Sequence, residues 1–238
     1  MTGCFAVDRH GFGGGLALLW DGSISLRIKS YSNFHIDAEV LNNDGLRCRI
    51  TGFYGHPEVG LRPNTWAFLR RLCGLCANPW LVPGDFNEIV ALDEQAGRGD
   101  RSLSQMGAFR QAVADCSLQD LGFHGPEFTW SNRRRGGALV RVQLDRALAN
   151  PDWLQLYPNV FVSHLAVVNS DHMGVMVGFQ PSQCSPCPRR RKLFRFDHTW
   201  IREDGCEEVI REAWCTQTTG THMFRLSDKI KQCRMHLL

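Results

Sequence analysis

The stretch WLVPGDFNEI, residues 80–89, sets a carboxylate, an aromatic ring and an amide directly behind an apolar run. The apolar half reads as a buried strand running into a turn. Asp85 and Asn87 then have two readings. They could do chemistry at the end of a rigid strand, or they could only turn the chain, since Asp and Asn are common turn residues. The choice depends on what the rest of the chain brings to that strand end.

Upstream, residues 15–20 (GLALLW), 23–31 (SISLRIKSY), 34–41 (FHIDAEVL) and 46–54 (LRCRITGFY) are short, β-branched or aromatic, and partly alternating, with DG and NNDG turns among them. The spacing predicts an antiparallel meander with one buried face. Residues 62–76 (RPNTWAFLRRLCGLC) predict a helix, with Pro63 suited to its first turn and Trp66, Leu69, Leu72 and Cys73 at helical spacing. A second helix is predicted over 102–116, where a serine cap precedes Met106, Phe109 and Val113. Strands dominate again at 127–132, 138–149, 159–168 and 174–179, interrupted by a short Asn-Pro-capped helix at 150–157. From about residue 181 the character changes to Pro, Cys, Ser and Arg, followed by two predicted helices around 203–214 and 222–238.

Composition narrows the function classes. The chain has 238 residues, 43% apolar and 21% charged, the balance of an ordinary globular protein. No apolar run approaches the roughly 18 to 20 residues that span a bilayer, and the N-terminus lacks the basic-then-apolar pattern of an export signal. The expectation is an intracellular protein, with the nucleus plausible and no membrane partner. Ten cysteines are dispersed along the chain. Two pairs have CxxC spacing, Cys73 with Cys76 and Cys184 with Cys187, but they lie more than a hundred residues apart, far beyond zinc-ribbon spacing. The plainer reading puts the first pair on the apolar side of a helix and the second in a linker. Residues 1–180 carry 16 basic and 17 acidic side chains, whereas 181–238 carry 11 and 7, so the basic excess lies in the tail. The run at 189–195 is either a phosphate-binding arm or a solvated linker.

On this frame three strand ends each present an acid with a polar neighbour: Asp85 with Asn87, Asp145, and Asp171 with His172. Strand ends on a rigid sheet are where catalytic groups collect. A carboxylate can fix a histidine tautomer, carboxylates without basic partners suit a hard cation, and an amide can hold a water or a phosphate oxygen. These are parts for metal-assisted phosphodiester hydrolysis.

The order of the motifs FYG (53–55), GDFN (84–87), FTWSN (128–132), QLDRALAN (143–150) and SDH (170–172) resembles the endonuclease/exonuclease/phosphatase family. Within it, GGGLALLW, TGFYGHPE, LQDLGF and LDRALANPDW resemble the endonuclease region of plant LINE-type, non-LTR retrotransposon polyproteins. Residues 193–214 resemble the segment joining that endonuclease to a reverse transcriptase. The resemblance implies an α/β fold of the α+β kind. This is the four-layer α/β/β/α sandwich of deoxyribonuclease and the AP endonucleases, over residues 1–180, with a basic linker at 181–200 and a helical segment at 201–238. It implies that Asp85 activates the attacking water or protonates the leaving oxygen, and that Asn87 holds the scissile phosphate or that water. Tyr54 would contact the phosphate and Thr129 would line the pocket. Asp145 would orient His172, which stabilises charge developing on phosphorus. Asp171 would serve the metal, and Ser170 would fix the turn that presents them. Trp130 and Arg146 are expected to be packing and a structural ion pair. The implied cofactor is magnesium or manganese and no other, and the implied partner is DNA; nothing bears on oligomeric state.

The departures from the family matter equally. Its members begin with strands carrying an asparagine and then the glutamate that is the main magnesium ligand, whereas this chain starts at the part corresponding to just after that glutamate. Glu39 and Glu58 fall in the wrong elements to replace it. Gln143 stands where an arginine is common and Gly174 where a proline is usual. The expectation is a domain lacking its first strands, with hydrolysis impaired or lost. The alternatives are a nucleic-acid-binding remnant or a functionless fragment of a mobile element.

Overall fold

The computed structural model describes residues 3–8, 15–41, 47–75, 78–99, 101–179, 205–215 and several positions between 225 and 236. The chain forms two compact units, residues 1–187 and 188–238. In the first, strands β1 (Gly3–Val7), β2 (Leu16–Trp20), β3 (Ser25–Ser32), β4 (His35–Leu41) and β5 (Arg47–Tyr54) lead into helix α1 (Arg62–Cys73). Then come β6 (Trp80–Asp85), β7 (Gln95–Ala96), α2 (Leu103–Asp115), β8 (Gln119–Asp120), β9 (Trp130–Ser131), β10 (Arg141–Val142) and β11 (Asp145–Ala149). Helix α3 (Pro151–Leu156) and strands β12 (Phe161–Leu165) and β13 (Gly174–Gly178) complete the unit. In the second unit α4 spans Cys206–Cys215. The basic run at 189–195, Cys76, Cys184, Cys187 and the NNDG turn lie outside the described residues.

The main sheet has six strands in the order β3-β4-β5-β6-β11-β8. The predicted meander is present in β3 to β5, which pair antiparallel. Strand β2 does not belong to it. It pairs instead with β1, which the sequence did not suggest, in a separate two-stranded sheet. After β5 the chain crosses through α1 and returns as β6 parallel to β5. That crossover explains the unbroken apolar run at 80–82. Trp80 and Val82 join the cluster beneath α1 and α2, with Trp66, Leu69, Phe86 and Phe109. Leu81 faces the opposite side and packs with Ala149, Trp153 and Tyr157. A strand covered on both faces has no polar alternation to show.

Local signals account for the helix starts. Pro63 occupies the first turn of α1, where a missing N–H costs nothing. Ser102 takes the N-cap position of α2, but its hydroxyl meets Ser104 Oγ at 2.7 Å and caps no backbone N–H. Asn150 caps α3 by accepting from Trp153 N at 2.9 Å. The same side chain accepts from Trp80 N at 2.8 Å and donates to Asn78 O at 3.2 Å, so it ties the start of β6 to the start of α3. Asn150→Ala is therefore expected to destabilise by about 2 kcal/mol, at the upper end for a cap, because three backbone groups lose their partner. Urea denaturation checks this, and a loss below about 0.5 kcal/mol would show that water replaces the amide.

Three buried arginines, Arg49, Arg62 and Arg146, and the half-buried Arg101 brace the unit. Arg49 Nε donates to Asp37 Oδ1 at 2.8 Å, and its guanidinium stacks 4.7 Å from the centre of Trp80. Arg62 and Arg101 share Glu88, at 2.7 and 3.0 Å. Arg146 is paired with Glu94 and Asp120, so the structural ion pair expected of it is present. Cys73 packs against the main core at the end of α1, and its thiol approaches Cys116 O at 3.7 Å.

Candidate active site

The register of the main sheet builds the site. Tyr54, the last residue of β5, lies opposite Asp85, the last residue of β6, and Asp85 lies opposite Asp145, the first residue of β11. Three polar side chains from three separate segments thus share one edge. The backbones approach closely here. A Cβ on Gly84 would sit 1.9 Å from Phe53 O, and one on Gly55 would sit 2.2 Å from Phe86 O. Real Cβ contacts of that length do not occur, so β5 and β6 can meet only with glycine at both positions. Gly84→Ala is expected to destabilise by about 2 to 3 kcal/mol through forced strand separation, and to disable the site by moving Tyr54 away from Asp85. Thermal melting together with any activity assay checks both halves of this expectation.

Asn87 holds a left-handed backbone, φ 53°, which asparagine tolerates better than most residues. Its N–H donates to Asp85 Oδ1 at 2.8 Å, while its side-chain Nδ2 donates to Asp85 Oδ2 at 3.1 Å and to Gly55 O at 2.8 Å. Both amide protons are thereby engaged, which leaves Oδ1 as the face offered outward. Behind this turn Arg101 Nη1 donates to Asn87 O at 3.2 Å and to Glu88 Oε1 at 3.0 Å. The sequence reading did not single out Glu88, Arg62 or Arg101. Their one visible signal was an acid, Glu88, inside an otherwise apolar stretch.

His172 Nδ1 lies 2.8 Å from Asp145 Oδ2. The turn before it is fixed by Ser170, whose Oγ accepts from His172 N at 3.1 Å. Asp171 points elsewhere, with Oδ2 accepting from Trp130 Nε1 at 2.9 Å. Thr129 is wholly buried, and its hydroxyl accepts from the backbone N–H groups of Leu144 and Asp145, both at 2.9 Å. That makes Thr129 a brace beneath Asp145, at the break between β10 and β11.

The electrostatics follow from this crowding. Burial, and secondarily the Asp145 carboxylate, push Asp85 up to about 6, against the opposing pull of the Asn87 N–H, His172 and Arg62. Burial and the Asp85 charge raise the Tyr54 hydroxyl, with a hydrogen bond to Asn87 opposing them. Burial would lower His172, but the hydrogen bond and charge of Asp145 outweigh it and hold the imidazole above its ordinary value. The Trp130 hydrogen bond keeps Asp171 below the usual carboxylate range.

No protein-family model matches the sequence, and no curated protein does. Solved structures do match the fold. The endonuclease domain of TRAS1, a telomere-specific non-LTR retrotransposon, superposes with a TM-score of 0.57 at 15% identity, over 77% of this chain and 83% of that one. AP endonuclease LMAP from Leishmania major gives 0.58 at 15% identity, over 76% and 72%. The 3'-5' exonuclease NExo from Neisseria meningitidis gives 0.53 at 18%, over 74% and 80%. The chain has the endonuclease/exonuclease/phosphatase fold.

The carboxylates gathered at this edge can be tested for the fit of a cation by their geometry. Asp85, Asp145 and His172 each offer one ligand atom, all within 4.8 Å of one another. Asp171 is not part of this group. His172 Nδ1 is already engaged by Asp145, which leaves two carboxylates as the donors a hard cation prefers. Their mutual repulsion, visible in the raised Asp85, is what a cation would relieve. Among the described residues, no glutamate joins the group. In this fold Glu39 lies near Arg47, on β4 away from the Asp85 edge, and Glu58 is exposed.

Proposed function

We propose that the chain hydrolyses phosphodiester bonds of DNA with the help of magnesium or manganese, at the edge formed by Tyr54, Asp85, Asn87, Asp145 and His172. The observation that carries the reading is the adjacency of two ordered pairs, Asp85 with Asn87 and Asp145 with His172, on facing ends of β6 and β11. Structures with this fold include an AP endonuclease and a 3' phosphatase bound to a product DNA hairpin, at 18% identity or less.

Each residue has a task its surroundings support. Asp85, pushed up to about 6, takes the proton from the water whose oxygen attacks phosphorus; the P–O bond to the leaving oxygen breaks, and that oxygen takes up a proton from solvent. Asn87 orients that water through Oδ1, because both of its amide protons are engaged. Asp145 holds the His172 ring in one tautomer, and the protonated ring faces the charge that develops on phosphorus. Tyr54 offers its hydroxyl to a phosphate oxygen. A cation on the carboxylates of Asp85 and Asp145 would neutralise charge on the phosphate; Asp171 stays available to its bound waters.

A second reading is DNA binding without hydrolysis. It is favoured by the lack of a glutamate in the carboxylate group among the described residues, which weakens the hold on magnesium. One experiment separates the two. Nicking of supercoiled plasmid is measured in magnesium or manganese against a chelator control. Hydrolysis predicts nicking that chelation abolishes and that His172→Ala lowers by about 10² to 10⁴. Plasmid retardation without nicking selects the second reading, and nicking indifferent to both chelator and His172→Ala refutes the first.

A further inference from the structure

Arg133, Arg134, Arg135 and Arg141 fall within residues 133–141, a stretch without a single acid. Among the described residues none of the four has a carboxylate at ion-pair distance, and neither does Arg98. Arg98 and Arg134 line one open cleft of about 410 Å³, together with Asn132, Gly137, Ala138 and Val140. Arg134 is carried to the cleft by the turn between β9 and β10 and Arg98 by the segment ahead of α2, whereas the Arg141 guanidinium stacks 4.9 Å from the centre of the Phe128 ring.

The turn that carries them is built rather than loose. Asn132 Oδ1 accepts from Arg134 N at 3.2 Å and from Val140 N at 3.0 Å, and Asn132 Nδ2 donates to Ala138 O at 2.9 Å. Arg133 and Gly136 take left-handed backbones, φ 53° and 59°. The turn is also joined to the candidate active site. Ser131 N donates to Asp171 O at 3.1 Å, and the Arg133 guanidinium bonds the carbonyl of Ser170, in the turn that presents His172. Arg133 is thereby committed, whereas the guanidinium groups of Arg98, Arg134 and Arg135 remain exposed and without a carboxylate.

We propose that this cleft seats backbone phosphates of duplex DNA beside the bond to be cleaved, with Arg98 and Arg134 of its lining, and the exposed Arg135 next to Arg134 in the chain, as the phosphate-binding side chains. The position beside the scissile bond rests on the hydrolytic reading; the binding of DNA does not. Guanidinium forks match phosphate oxygens in pairs, and a rigid turn loses little freedom on binding. Among the described residues no aromatic ring lines the cleft, so they offer nothing on which to stack an unpaired base. That favours the backbone of a duplex over a single strand, and contact independent of base sequence.

The test is fluorescence anisotropy with a labelled duplex in chelator, so that cleavage plays no part in the readout. The variant R98A/R134A/R135A is compared with R27A/K29A/R71A, which removes the same charge from exposed positions outside the cleft. The expected result is a tenfold or greater loss of affinity in the first variant only. Its slope of log affinity against log salt should also be shallower by about 2.7, roughly 0.9 for each phosphate contact. Equal losses in both variants would reduce the effect to net charge and overturn the proposal. So would unchanged affinity and slope, or a wild-type chain that binds phosphatidylserine vesicles or single-stranded RNA in preference to duplex DNA. Arginine-dependent binding without plasmid nicking would support the cleft while refuting the hydrolytic reading. Circular dichroism melts of both variants guard against loss of fold.

Discussion

Asp85→Asn is expected to raise the stability of the folded chain at neutral pH while removing whatever hydrolysis it performs. The carboxyl titrates near 6 in the fold, against about 3.9 in an unfolded chain. A folded-state value raised in this way means stability that is fully present below about pH 4 and lost as pH climbs through 6. The shift of about 2 units corresponds to roughly 3 kcal/mol at pH 7.5. Asparagine keeps an oxygen for the Asn87 N–H and never ionises, so the variant avoids that loss; its amide nitrogen cannot accept from Asn87 Nδ2 as Asp85 Oδ2 does, a smaller loss of about 1 kcal/mol that does not depend on pH. His172 acts in the same direction, since its value is also raised, and wild-type stability should fall further as pH rises through its titration. Removing the Asp85 anion takes away part of what favours the imidazolium. Thermal melts in chelator at pH 4 and pH 7.5 check the argument. The variant should melt at or slightly below the wild type at the lower pH and above it, by a few degrees, at the higher. Equal gaps at both values would show that ionisation of Asp85 is not the cause. Added magnesium should narrow the gap at pH 7.5 by stabilising only the wild type.

Arg146→Met is expected to be the most damaging single change to the fold. The Arg146 side chain is 1% exposed and its partner Glu94 is 6% exposed. Nη2 donates to Glu94 Oε2 at 2.7 Å and Nη1 to Asp120 Oδ2 at 2.8 Å. Glu94 also accepts from Val90 N at 2.8 Å, so it cannot turn outward to water without breaking a backbone contact. Breaking a buried pair from one side leaves a charge without compensation and costs about 3 to 5 kcal/mol. That is a large share of the marginal stability of a domain. The double variant Glu94→Gln with Arg146→Met should regain much of the loss, because no buried charge is left. Denaturant unfolding of both variants decides the matter; a double variant no better than the single one would show that Arg146 acts through packing instead. By contrast, Arg70 and Asp115 are 39% and 37% exposed, and dissolving that pair should change stability by less than about 1 kcal/mol.

Much of the local structure was legible along the chain. The helices at 62–73 and 103–115 follow from apolar spacing, and the start of α3 from Asn150-Pro151. The central strand was legible because three consecutive apolar residues stop at a proline and a glycine. The candidate site was legible as a set of parts: Asp85, Asn87 and His172 stand at the edges of readable elements, whereas Asp145 lies inside the strand read at 138–149, which the structure breaks into β10 and β11 just before it. The two-residue strands β7 and β8 were not, since so short a pairing has no period of its own, and the strands read at 127–132 and 138–149 run longer than the β9, β10 and β11 that form there. Nor was the pairing of β1 with β2, which depends on a partner and not on either strand's composition.

What the sequence by itself determined is therefore local: which residues are apolar at which spacing, where proline and glycine stop an element, and which polar groups stand at strand ends. Tertiary structure alone decided the rest. The parallel return of β6 beside β5 placed Tyr54 opposite Asp85, and the antiparallel arrival of β11 placed Asp145 opposite the same residue. Crowding then raised Asp85 to about 6, an effect of burial and of a charge 60 positions away in the chain. The acids that hold Arg62, Arg101 and Arg146 also lie well beyond local reach in the chain, at 26, 13 and 52 positions. Ionisation and buried pairing are set by distance in space, and no local pattern of residues encodes it.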